Sequence, residues 1–240
     1  MSMGGEVGAA ALSQARQAIE ALEPALRRAL AQAWLRAARF EHASIASFAR
    51  FSLQLLAVGA PPELVVEAHE AALDEVRHAR LCFGLASLYA GRACGPGPLP
   101  IDARALEALD LASVTLATVI EGCIGETLAV AQAEASREAA QLAAVREVLA
   151  VIVRDESRHA DLAYRFVAWA VAVGGAPLQM QVRAAFEHEI ARWRETDGDG
   201  DSAADARCEA HGRLSHARRR DVRLRTLEGV ILPAMNALLA

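Results

Sequence analysis

The sequence predicts an all-α protein, a four-helix bundle with additional helices at both ends. Three observations predict it. Apolar residues make up 54% of the 240 residues and aromatics only 5%, and much of that apolar share is alanine and leucine, which favour closely packed helices. Long segments with helical periodicity are punctuated by few Gly/Pro breaks. One short stretch occurs twice inside such segments: Asp74-Glu75-Val76-Arg77-His78-Ala79 and Asp155-Glu156-Ser157-Arg158-His159-Ala160. Both read D-E-x-R-H-A.

Taken in order, residues 1–10 are glycine-rich and are expected to lack regular structure, and the helical pattern starts near Leu12. An N-terminal extension then covers residues 1–23, the bundle 24–173, and a C-terminal helical extension 174–240. Pro24 suits the first turn of a helix, where its missing N–H costs nothing. That first long helix runs through Trp34, Phe40, Glu41, Phe48 and Leu55 to Val58. Gly59-Ala60-Pro61-Pro62 ends it and starts the second, which runs to Ala90. The Gly91–Pro100 segment has three glycines and three prolines and cannot be regular. Extended, it could reach about 35 Å, enough to cross a bundle or to fold back. Asp102 is the expected N-cap of the third long helix, ending near Ser136. The fourth continues through Tyr164, Phe166 and Trp169 until Gly174-Gly175-Ala176-Pro177 stops it. A fifth helix is expected from Leu178 to Glu195, and a last one from Leu214 to Leu239. Between them, Asp197-Gly198-Asp199-Gly200-Asp201-Ser202 resembles the start of a calcium loop, but its twelfth position is Cys208, not glutamate.

Charge and cysteine content narrow the function. The net charge is −5 and the pI about 5.8, which argues against nucleic acid as a main partner, although Arg218-Arg219-Arg220 with Arg223 and Arg225 form a local basic run. Cys82, Cys94, Cys123 and Cys208 form no C-x-x-C pair. No signal peptide and no uninterrupted apolar run of membrane-spanning length are visible. A cytoplasmic protein with reduced thiols is expected.

The repeated stretch carries the chemistry. Residues three apart on a helix share a face, so Glu75 pairs with His78 and Glu156 with His159. A di-metal site in a bundle core takes such a Glu-x-x-His pair from two helices and one glutamate from each of the other two. The first helix offers Glu41, in an uncharged segment 34 residues before Glu75. Counted from the turn near residue 60, the two lie at depths differing by about 6 Å. The third helix offers Glu121 and Glu126, and the repeat favours Glu121, 35 residues before Glu156. Glu126 lies about 140° round an α-helix from Glu121 unless a π-bulge brings the two together. Gly122 and Gly125, beside these acids, imply local distortion or room for a small molecule, with a cavity lined by Cys123 and apolar side chains of the first two helices. Inward acids without cations would be unstable without metal. The candidate metal and catalytic residues are therefore Glu41, Glu75, His78, Glu121, Glu126, Glu156 and His159. Asp74 and Asp155 can each bridge the arginine three residues on, and can also serve His159 and His78 across the helix interface.

The paired D-E-x-R-H stretches with Glu41 and Glu121/Glu126 resemble the ferritin-like superfamily of di-iron carboxylate proteins, over about residues 25 to 172. That group includes ferritins, rubrerythrins, ribonucleotide reductase small subunits and bacterial multicomponent monooxygenases. Keeping Asp and Arg in both copies is closest to the monooxygenase and reductase type, whereas the chain length is closer to rubrerythrins and small ferritin-like proteins. The cysteine-bound iron domain of rubrerythrin is absent. The resemblance implies a ferritin-like bundle holding two iron ions, or Mn/Fe or Mn, that react with molecular oxygen or peroxide. The function expected is an oxygen-activating oxidoreductase acting on a small organic substrate, with an unidentified electron donor and a homo-oligomer within its range. The alternative is an iron-handling ferroxidase or peroxide scavenger without organic substrate.

Overall fold

The computed structural model describes residues 3, 5–102, 106, 109–195 and 206–240. Among these the regular structure is all helical, with no strand. Its helices are α1 (Ala9–Glu20), α2 (Pro24–Ala57), α3 (Pro62–Ala90), α4 (Leu111–Thr118), α5 (Thr127–Ala139), α6 (Ala143–Glu195), α7 (Ala206–Glu209), α8 (His216–Thr226) and α9 (Leu232–Leu238). A π segment, Val119–Glu126, joins α4 to α5 without a break, and a second, Leu227–Ile231, joins α8 to α9.

The long helices begin and end largely where local chemistry says they should. Pro24 opens α2, and the Glu23 carboxylate accepts the Ala25 N–H at 3.2 Å. Gly59, at φ +67°, turns the chain out of α2. Pro62 opens α3, and Gly91 ends it in the left-handed region at φ +66°. The N-cap of α4 is Asp110, not Asp102: its carboxylate accepts the Ser113 N–H at 2.9 Å. Both aspartates carry the capping chemistry; Asp110 stands directly before the apolar helical run. Within α6 the expected break is present, because Gly175 adopts φ 65°, ψ −163° two residues before Pro177. The described residues before position 11 depart from expectation. Met3 and Val7 are buried and α1 starts at Ala9. The Met3 side chain fills the space that a Cβ on Gly84 would occupy. The acidic stretch 197–202 lies outside the described residues.

Packing sets the topology. α2 and α3 form an antiparallel hairpin, and α4, the π segment and α5 lie along α6. α3 and α6 pair in opposite directions, since Asp74 meets Arg158 while His78 meets Asp155. α3 and α4 therefore run the same way, so connection 91–110 carries the chain back along the bundle.

Two apolar cores sandwich a polar layer. One contains Phe48, Leu55, Leu162, Phe166 and Phe186. The other contains Trp34, Phe83, Tyr89, Val145 and Leu149. Between them lie buried Asp74, Glu75, His78, Asp155, Glu156 and His159. The terminal extensions thicken these cores. Ala15 and Ile19 of α1 join the second, and Leu178, Val182, Ile231 and Met235 join the first. One stretch, Leu111–Ala139, is long and apolar enough to cross a membrane by length and composition. In this fold it packs along α6.

Candidate metal centre

Two neighbouring groups of ligand atoms form in the polar layer. Glu41, Glu75, His78 and Glu156 make one, and Glu126, Glu156 and His159 the other. Within each group one atom per residue lies within 4.8 Å of all the others. Glu156 belongs to both. Its Oε1 is 3.5 Å from Nδ1 of His78 and its Oε2 is 2.9 Å from Nδ1 of His159. Glu75 Oε1 also reaches both rings, at 3.7 Å and 3.3 Å. Glu41 closes the first group, 3.9 Å from His78 Nδ1. Two carboxylates between two imidazoles, with one further carboxylate on each side, is a donor set that suits two adjacent cations with oxygen and nitrogen preference.

The unmet hydrogen-bonding capacity fits the same reading. Glu75 Oε2 and His78 Nδ1 are buried inside the cluster and have no hydrogen-bond partner. Orphaned buried acceptors are costly, and a bound cation would satisfy both. Each ring turns Nδ1 to the cluster and Nε2 to an aspartate of the opposite motif. His78 Nε2 is 3.2 Å from Asp155, and His159 Nε2 is 3.4 Å from Asp74. This is the crossed arrangement expected from the sequence. The bond to Asp155 fixes the His78 ring and leaves its Nδ1 turned to the cluster, whereas His159 Nε2 has no hydrogen-bond partner and its Nδ1 is paired with Glu156 at 2.9 Å. Phe48 packs against the His159 ring, with centroids 4.8 Å apart.

The arginines of the motifs do more than bridge locally. Arg77 reaches Asp74 at 2.7 Å and Asp155 at 2.8 Å, while Arg158 reaches the same pair at 2.6 and 3.0 Å. Two aspartates and two arginines thus tie α3 to α6 just outside the ligands. The tie follows from the antiparallel crossing of two identical motifs, which no single motif reveals.

Protons carry the positive charge in the metal-free cluster. Burial opposes protonation of His78, but its contact with Asp155 and the nearby carboxylates of Glu156 and Glu75 win and push its pKa up to about 12. His159 goes up to about 9 against the same burial, through Glu156 and Glu75. Burial raises Glu41 well above the carboxylate range, helped by repulsion from Glu75 and Glu156. Burial likewise raises Glu126, with repulsion from Glu156. Glu156 falls to about 2 despite its burial, because both histidines bond to it. The shifts thus favour charge on Glu156 and the two imidazoles and disfavour it on Glu41 and Glu126.

The third-helix acids separate. Glu126 joins the cluster, whereas Glu121 is 55% exposed and pairs with Arg50 of α2. The sequence repeat favoured Glu121, and the π segment is the physical reason it fails. With wider turns, the five residues between the acids no longer carry them to unrelated faces. Both then line one cavity, Glu121 at its exposed side and Glu126 against the centre. Thr118 and Thr127 donate their hydroxyls to the carbonyls of Val114 and Cys123, at the two ends of the π segment. The glycines separate too. A Cβ on Gly122 would lie 2.5 Å from the Cβ of Ala163, so Gly122 permits close approach of α6. Gly125 has only the Ile120 carbonyl nearby and borders the cavity. Cys123, expected beside that cavity, is instead fully buried in the apolar core and absent from the lining.

Two large cavities touch the clustered carboxylates. One, of about 440 Å³, lies between α2 and the π segment and touches Glu126 and His159. Its walls include Phe48, Phe51, Leu128, Leu162 and Trp193. The other, of about 520 Å³, touches Glu41, Glu75, Glu126 and Glu156.

Several other polar side chains lie outside the cluster. His69 and His188 are exposed. His211 is buried, with Nδ1 2.9 Å from the Tyr89 hydroxyl. Tyr164 stacks on Phe186. The basic run of α8 is partly used internally: Arg218 pairs with Glu209, Arg225 with Asp221, and Arg223 lies over Trp193. The chain matches no protein-family model, no curated protein and no solved structure.

Proposed function

We propose that this chain is a ferritin-like di-metal carboxylate oxidoreductase that activates dioxygen or peroxide and oxidises a small organic substrate. Glu41, Glu75, His78, Glu126, Glu156 and His159 would hold two iron ions, or a Mn/Fe or Mn pair. The metals would supply redox and Lewis-acid chemistry, which carboxylate-rich ligation favours. The protein supplies the rest. Glu75 and Glu156 would lie between the two sites, Asp155 orients the His78 ring, Asp74 lies beside the His159 ring, and the flanking apolar cores exclude water.

The observation that carries the choice of an organic substrate is the apolar cavity set directly against Glu126 and His159. Its size and its apolar walls with a few polar groups are those of a small-molecule site. The test is metal analysis of the purified protein, then anaerobic reduction and exposure to oxygen followed by absorption spectroscopy. The expected result is two transition-metal ions per chain and oxygen uptake by the reduced protein. A protein that takes up no transition metal would end the proposal.

Iron handling without organic substrate is the second reading. A third cavity, of about 320 Å³, approaches His159 past Glu67, Glu70, Asp74 and Asp161, an acidic lining suited to cation entry. Arginines temper it: Arg165 bonds Glu67 and Asp161, and Arg158 bonds Asp74. The cavity beside Glu126 keeps the oxygenase reading ahead.

A further inference from the structure

The second large cavity has a lining in two parts. One part is the carboxylates of the centre. The other is three arginines, Arg36, Arg213 and Arg219. Burial disfavours the charge on Arg213, and Arg219 and Arg36 add to that, while Glu41 offsets part of it. Three guanidinium groups on one wall of a cavity make that wall attractive to an anionic group.

Arg213 is held in place by its surroundings. Its guanidinium lies 5.1 Å over the Trp34 ring, and its Nε is buried with no hydrogen-bond partner. The preceding residue, Gly212, has φ +73°, and a Cβ there would lie 2.7 Å from Val145 and 3.0 Å from Leu149. Only glycine suits that turn. The segment is pinned on both sides, by the Ala210 carbonyl on the Gln141 N–H at 2.8 Å and by His211 on Tyr89. Arg219 gives one N–H to the Leu214 carbonyl at 2.7 Å, which orients it as well. The C-terminal extension thus delivers oriented guanidinium groups to a cavity that opens on the metal centre.

The arginine cavity adjoins the apolar one. Phe40, Ser44, Glu126, Ala129 and Gln132 line both. A molecule spanning the two would have an anionic end among the arginines, an apolar body along Phe48, Phe51 and Leu128, and its middle passing Glu126.

We infer that the chain binds an amphipathic organic acid, its carboxylate or phosphate head held by Arg213 with Arg36 and Arg219 and its apolar body in the adjoining cavity. This rests on the proposed function for its consequence: the acid is then the substrate class that the metal centre oxidises. Guanidinium groups recognise both kinds of head by paired hydrogen bonds.

Calorimetric titration of the full chain, metal-free and zinc-loaded, with octanoate, octyl phosphate and 1-octanol tests the inference without any oxidation step. At least one of the two anions is expected to bind tenfold or more tightly than octanol, and their ratio identifies the preferred head. Arg213→Gln is expected to weaken anion binding tenfold or more and to leave octanol binding unchanged. Arg219→Gln, which leaves the Trp34 stack intact, should weaken it in the same sense and serves if Arg213→Gln does not fold. Anions that bind no better than octanol overturn the inference. So does anion binding that requires metal and ignores both substitutions, because the head then sits on the metals. Anion binding as expected, in a protein whose reduced iron form consumes no oxygen, sinks the oxidoreductase proposal and leaves the binding site standing.

Discussion

Asp155 holds the histidine of the other motif: its Oδ2 lies 3.2 Å from Nε2 of His78 on α3, while His159, four residues along its own helix, turns Nε2 to Asp74. The contact with Asp155 ties the orientation of the His78 imidazole to the correct docking of α3 on α6. Neither helix alone can complete its half of the centre.

Asp155→Asn should therefore weaken metal binding without removing a ligand. Loss of an acceptor behind a metal-bound histidine typically costs 10–100-fold in affinity. The substitution keeps the volume, and Arg77 and Arg158 retain Asp74. Chelator competition with Mn²⁺ or Fe²⁺ reads the effect directly. Affinity equal to wild type would show that Asp155 serves only the arginine network.

The protonated cluster sets the pH dependence of the metal-free protein. His78 and His159 have folded pKa values of about 12 and about 9, above the free value. Their contribution is complete below about pH 6.5 and is lost as pH rises through those values. Glu41 and Glu126 are also raised, so the folded state holds their protons above the pH where the unfolded chain releases them. Their contribution falls in the same direction, starting from about pH 4.3. Glu156 has the opposite sign, since its depressed value costs stability only as pH falls toward about 2. The melting temperature of the metal-free protein should decline from pH 5 to pH 9. Metal must displace these protons, so its stabilising effect should grow over the same interval. Scanning calorimetry of both forms, with calorimetric titration in buffers of different ionisation enthalpy to count released protons, checks both signs. A metal-induced gain that is flat with pH would show that the histidines are not ligands.

Glu126→Ala should abolish binding at the site it shares with Glu156 and His159, and Glu121→Ala should leave two metals per chain. Glu121 faces Arg50 at a half-exposed pair, which contributes under about 1 kcal/mol. Equilibrium dialysis followed by elemental analysis gives the stoichiometry of each variant. Loss of a metal in Glu121→Ala alone would reverse the assignment.

The failure to choose correctly between these acids marks where the sequence stops being informative. Helix boundaries were readable wherever Pro or Gly acts locally, at Pro24, Gly59-Pro62, Gly91 and Gly175. The pairs Glu75/His78 and Glu156/His159 were readable because three-residue spacing fixes a face on any α-helix. Glu121 and Glu126 lie in the one stretch where that rule lapses. A π segment changes the angle per residue, and glycines next to acids hint at it without fixing its length. Arg213 was not readable at all. Its place depends on a glycine turn packed on Val145 and Leu149, far away in sequence. Met3 escaped for a similar reason, since its burial depends on the surface of α3 at Gly84 and not on its own glycine-rich context.

The two glycines of the π segment give the last test, because they now have different roles. Gly122 lies against α6, where any side chain meets Ala163. Gly122→Leu must push the helices apart, at a cost of about 1–3 kcal/mol for overpacking, and should lower the melting temperature and loosen metal binding together. Gly125 faces open space apart from the Ile120 carbonyl, 3.4 Å from where a Cβ would stand. Replacing glycine within a helix can itself stabilise by about 0.5–1 kcal/mol. Gly125→Leu should therefore fold, keep both metals, and fill the cavity beside Glu126 and His159. Oxygen consumption by the reduced metals should survive, while turnover and binding of an organic substrate should fall at least tenfold. Parallel oxygen-electrode and ligand-titration measurements on the two variants separate the cases. If Gly125→Leu leaves organic binding intact, the apolar cavity is not the substrate site, and the acid-lined approach past Glu67 and Glu70 becomes the functional entrance.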